Sequence, residues 1–120
     1  MNPVRGRPNL TIASQALAHR VLFEGVRATG VKYRQNGQVI TARAGKEVLL
    51  CAGAYNTPQL LQVSGVGPAN HLLSLGIDVV ANRTGVGANL QDHFNAPLMY
   101  RLNENFTVNV LVNKWTHKVR

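Results

Sequence analysis

The sequence predicts a mixed α/β fold of the α+β kind, in which a β-meander leads into strand and short-helix units. Three observations predict it. Apolar and basic residues alternate on both sides of Asn36-Gly37; a continuous apolar run of strand length follows at Glu47 to Cys51; and beyond Ala54 the apolar spacing changes from a strand period to a helical one. At 120 residues the chain has room for one modest domain and no second complete one. Its 45% hydrophobic and 15% charged content is too apolar for a disordered chain, and 11 Gly with 5 Pro are too few for a collagen or a linker.

Each element has its own warrant. Asn9-Leu10-Thr11-Ile12 and Val21-Leu22-Phe23-Glu24 are short β-prone segments, with Ser14 to Arg20 between them as a turn or a single helical turn. Gly30-Val31-Lys32-Tyr33-Arg34 and Val39-Ile40-Thr41-Ala42-Arg43 flank Asn36-Gly37, the dipeptide best suited to a two-residue hairpin turn with φ > 0. The alternation puts Lys32, Arg34 and Arg43 in solvent. Gly45-Lys46 turns the chain again, and Glu47-Val48-Leu49-Leu50-Cys51 reads as a strand buried on both faces, because a half-exposed strand would alternate.

The helical stretch begins with Thr57 as a capping hydroxyl and Pro58 at the first helical position, where its missing N–H costs nothing. Leu60, Leu61 and Ser64 follow at helical spacing, and Gly65-Val66-Gly67 ends the helix. Pro68 opens a second helix with Leu72, Leu73 and Leu75 as its apolar stripe and Gly76 as its stop. Ile77 to Ala81 returns to strand, Gly85 to His93 is a loop with clustered polar groups, and Leu98 to Leu102 is a further strand.

The charge balance is strongly basic, 13 Lys+Arg against 5 Asp+Glu, for a formal +8. Nucleic acid is nevertheless not the expected partner: the basic residues run from Arg5 to Arg120 without three in succession, and the aromatics are not interleaved with them as a stacking platform requires. The longest stretch without a polar side chain, Val48 to Ala54, falls far short of the roughly 20 residues that cross a bilayer. No membrane span is expected. The N-terminal residues carry charge but no apolar run, so no secretory leader is read. The single cysteine, Cys51, cannot form an internal disulfide and is read as a reduced, buried thiol, which points to a reducing, cytoplasmic setting. His19, His71 and His117 lie too far apart, without Cys or carboxylate at ligand spacing, for a metal site. Ser64 lies in Ser-Gly-Val-Gly and makes no nucleophile elbow.

The stretch from Gly53 to Gly67 carries the most information. A strand that ends in a glycine and passes into a helix N-terminus exposes free N–H groups where a ligand can approach. Gly53-Ala54-Tyr55-Asn56-Thr57-Pro58-Gln59-Leu60-Leu61-Gln62-Val63-Ser64-Gly65-Val66-Gly67 resembles the second signature of the glucose–methanol–choline family of FAD-dependent oxidoreductases. Further blocks are similar to the family in the same order: Arg7 to Ile12, Arg20 to Val31, and Gly85 to His93. The resemblance runs from residue 3 to about residue 100.

It implies an FAD-binding fold related to glutathione reductase, with FAD as cofactor and oxidation of the CH–OH group of a small-molecule alcohol by hydride transfer to the flavin. It divides the chain into a partial FAD-binding segment, residues 1–95, and the start of a substrate-domain segment, residues 96–120. It implies as cofactor-binding residues Ala18, at a position usually held by valine whose main chain meets the adenine, together with Cys51, Ala52, Gly53 and Ala54 at the strand end that passes close to the cofactor. No catalytic residue is implied. The family's Gly-x-Gly-x-x-Gly turn and its His-x-x-Gly-Thr base do not occur in this chain, and Gly85-x-Gly87 lacks the preceding strand and third glycine. His93 and Asp92 are read as loop and turn residues. The alternative reading is a non-catalytic truncated product or a small β-rich binding module.

Overall fold

A computed structural model describes residues 4–100. The first part is an antiparallel meander of β1 (Leu17–Glu24), β2 (Arg27–Gln35) and β3 (Gln38–Arg43), paired in the order β1-β2-β3. The β2–β3 turn is the expected one. Asn36 and Gly37 have φ of 50° and 79°, the twist that a two-residue turn must supply, and Gln35 faces Gln38 across it. Lys32, Arg34 and Arg43 are exposed, while Val31, Tyr33 and Ile40 are half-buried, so the alternation fixes which face turns inward. The β1–β2 register shifts between Ala18 and Arg20 and again between Leu22 and Phe23.

A second unit is built of α1 (Gly53–Val63), β4 (Val66–Gly67), α2 (Ala69–Ser74) and β5 (Ala81–Asn82). β4 and β5 pair in parallel, with Gly65 O accepting from Val80 N at 2.8 Å and Gly67 O from Arg83 N at 2.9 Å. Gly65 is the residue that permits this. Its φ is +90°, and a Cβ there would lie 2.5 Å from Asp78 O. α2 closes at Gly76 (φ 69°) with Ile77 N donating to Leu72 O at 2.9 Å, as a glycine stop predicts. Its first N–H, at Ala69, is taken by Asn82 Oδ1 at 3.1 Å.

Several expectations are corrected. Leu10 to Ile12 form no strand, and the segment before Val21 is not helical: β1 already runs from Leu17. Glu47 to Cys51 form no strand either. Leu49 is 75% exposed and Cys51 is exposed, so the continuous apolar run is neither paired nor buried, because no neighbouring strand lies alongside it among the described residues. α1 starts at Gly53, four residues before Thr57, and contains Pro58; the Thr57 hydroxyl reaches back and accepts from Ala52 N at 3.1 Å. Of the α2 stripe only Leu72 is buried, while Leu73 and Leu75 are exposed. Ile77 to Val80 stay irregular and pairing begins only at Ala81. Leu98 to Tyr100 are unpaired, and the remainder of that expected strand lies outside the described residues, as does His117.

Buried apolar side chains among the described residues are two, Val21 and Leu72. They lie one in each unit. The buried polar residue, Ser64, stands between them and joins the units.

Candidate functional site

β1 is an edge strand, and α1 lies along it. Between them is a cleft of 680 Å³ lined by Ala16 to His19 from the strand and by Ala52, Asn56, Gln59, Leu60 and Val63 from the helix and its approach. The strand contributes Leu17, Ala18 and His19 just where its register shifts between Ala18 and Arg20, a device that re-aims backbone at a sheet edge. The helix contributes Asn56, Gln59 or Leu60, and Val63 at three- and four-residue spacing, which sets them on one face. Ala18 and Ala52, 34 positions apart in the chain, therefore line the same cleft.

The other implied residues, Cys51, Gly53 and Ala54, do not line this cleft. Gly53 follows Ala52 with φ +84° and has no atom within 4 Å of the place where a Cβ would stand. A side chain there would be strained by the backbone, not by crowding. Ala54 lies on the next face of α1, against a smaller cavity of 290 Å³ shared with Tyr55, Pro58, Gln62, Gly87 and Leu90. Cys51 is exposed and lines neither space, which corrects the expected buried thiol.

The residue types around the cleft suit a flat, polar-edged aromatic group. Three alanines leave main-chain donors and acceptors accessible, Leu60 and Val63 offer apolar contact, and His19, Asn56 and Gln59 offer hydrogen bonds. A volume of 680 Å³ lies within the roughly 300–1,000 Å³ typical of small-molecule sites. The polar residues Asn56 and Gln59 carry no motif in the sequence that marks them for this cleft. Their spacing relative to Val63 was the available signal.

The Gly85–His93 loop is tied to α1 from the other side. Gln62 Nε2 donates to Val86 O at 3.0 Å, and a Cβ on Gly87 would meet that same amide nitrogen. Asp92 Oδ1 accepts from His93 N at 2.8 Å, and both residues are exposed in an irregular segment with no regular turn. No group of three or more His, Cys, Asp or Glu could hold a metal ion among the described residues. None of the helices there is long and apolar enough to cross a membrane.

An edge strand packed against a glycine-led helix, with a cleft between them, makes a mixed strand-and-helix unit. The family model for GMC oxidoreductase matches residues 1–95, and the chain belongs to that family. It is 57% identical over 94 residues to an oxygen-dependent choline dehydrogenase of Stenotrophomonas maltophilia, covering 78% of this chain and 17% of the relative. It is 50% identical over 117 residues to the enzyme of that description from Pseudomonas aeruginosa, covering 96% and 21%. Among solved structures it resembles pyridoxine 4-oxidase from Mesorbium loti, with TM-score 0.63 and 32% identity over 68% of this chain and 16% of that one. It also resembles an FAD-dependent oxidoreductase from Chaetomium thermophilum, with TM-score 0.62 and 38% identity over 65% and 14%. The chain spans about a fifth of the length of the curated relatives it matches.

Proposed function

We propose that this chain supplies the adenine-side cleft of an FAD-dependent oxidoreductase that oxidises the CH–OH group of a small alcohol. The observation that carries the reading is the cleft itself: Ala18 and Ala52, implied separately as cofactor-binding residues, line one space of suitable size. FAD, when bound, accepts a hydride from the alcohol carbon. The chain's own part is binding and orientation. The main chain around Ala18 would read the adenine edge, Ala52 and Gly53 would let the cofactor pass close to the backbone, and Asn56 and Gln59 would orient polar atoms at the rim. Ala54 and Cys51 belong to the same passage into α1. No described side chain serves as proton acceptor in this reading. Residues 1–95 act as cofactor-binding segment and residues 96–120 open the substrate segment, in a cytoplasmic protein.

The test begins with the coding DNA on both sides of the segment, followed by assay of the product of the complete reading frame. A frame that continues through Gly-x-Gly-x-x-Gly on one side and His-x-x-Gly-Thr on the other, giving a yellow protein bleached anaerobically by a primary alcohol, supports the proposal. A product that takes up no FAD, or holds FAD that no alcohol reduces, overturns it.

A further inference from the structure

We infer that Ser64 is a positioning residue for the cofactor cleft, holding β1 and α1 at the separation that FAD requires without touching FAD itself; this rests on the function proposed above. Ser64 is 1% exposed and follows directly on the last residue of α1. Its Oγ accepts from Val21 N at 2.8 Å and donates to Leu60 O. The hydroxyl is therefore bonded to both walls. Val21, itself 3% exposed, stands two residues beyond His19, where β1 lines the cleft, and Leu60 is a lining residue of α1.

The chemistry explains why a hydroxyl is needed. Among the described residues β1 is an edge strand on this side, so the outward N–H of Val21, which is buried, finds its partner outside the ladder. A helix alone cannot supply it, since its carbonyls near the C-terminus point along its axis. Serine accepts from the strand and donates to the helix in one step, and is small enough to let the two backbones approach. The adjacent Gly65, at φ +90°, turns the chain away at once, which keeps Ser64 at the contact. Gln62 provides the comparison: two residues earlier on the same helix, it ties α1 to Val86 and leaves β1 untouched.

The experiment uses the protein expressed from its complete reading frame, as wild type, Ser64→Ala, Ser64→Thr and Gln62→Ala. FAD affinity is read by fluorescence quenching, thermal unfolding by circular dichroism, and exchange of the Val21 amide by hydrogen–deuterium mass spectrometry. Ser64→Ala is expected to weaken FAD binding about tenfold, to speed exchange at Val21, and to leave kcat at saturating FAD within about twofold. Ser64→Thr, which keeps the hydroxyl, recovers most of the affinity, and Gln62→Ala lowers the unfolding temperature with FAD affinity unchanged. If Ser64→Ala fails to fold, Ser64→Cys, with a weaker acceptor at the same place, gives the same reading on a smaller scale. FAD affinity that stays at the wild-type value in the Ala or Cys variant overturns the inference while the proposed function stands. A wild-type protein that binds no FAD overturns both.

Discussion

β2–β3 and Glu47 to Cys51 are both strand-like in sequence, yet only the first becomes a strand. The hairpin holds its partner within the next few residues, and Asn36-Gly37 closes the pairing at positive φ, so the ladder forms locally. The apolar run from Val48 to Leu50 has a stronger hydrophobic signal but no neighbouring strand among the described residues, and Leu49 remains 75% exposed. The difference teaches that an apolar run by itself secures neither burial nor a strand, because a strand needs another backbone to receive its N–H and C=O groups.

The comparison is sharpened most by replacing the same residue type where a partner exists and where it does not. Leu72→Ala removes a side chain with 0% exposure and is expected to destabilise by about 2–5 kcal/mol, whereas Leu49→Ala should stay within about 0.5 kcal/mol. Urea unfolding of both variants measures this, and equal losses would break the distinction. Next in size are two glycines on either side of the end of the meander. At Gly30 a Cβ would meet Ala42 O and stand 3.2 Å from Arg43 Cα, so Gly30→Ala should cost about 1–3 kcal/mol by forcing β2 and β3 apart. At Gly45 nothing lies within 4 Å, and Gly45→Ala should change stability by less than about 0.5 kcal/mol. Amide exchange along β3 separates them: the first variant should lose protection there and the second should keep it.

The smallest effect belongs to the ion pair between Arg43 Nη1 and Glu24 Oε1 at 3.8 Å, which links the outer strands of the meander with side chains 77% and 73% exposed, respectively. Glu24→Gln should cost at most about 0.5 kcal/mol, a loss that disappears in high salt. A larger loss would mean that the meander depends on charge as well as on its ladder.

What was legible follows the same division. The hairpin, its turn, the solvent side of Lys32, Arg34 and Arg43, the glycine stops at Gly65 and Gly76 and the helix between them could all be read, because each is decided by residues close in sequence. The helix start was read four residues late. Thr57-Pro58 carries the usual start signal, but Gly53 turns the chain into the helix first and the Thr57 hydroxyl then serves the N–H of Ala52 from inside it. At the site, the family blocks gave Ala18 and Ala52 separately, while their shared cleft depends on the packing of β1 on α1. The sequence marks Ser64 as a helical position in a glycine-rich exit that makes no nucleophile elbow, and its bond to Val21 is not legible there because that partner is 43 residues away.

α1 is a wall common to two spaces. Asn56, Leu60 and Val63 face one, Tyr55, Pro58 and Gln62 face the other, and Gln59 stands at the rim of both. Most positions of an 11-residue helix are thereby already committed, and none of its side chains is fully buried. Such a helix has little neutral sequence space. A substitution that only trims bulk on one side alters the fit on the other, so drift along α1 should be slow for reasons of geometry, even at positions that never meet a ligand.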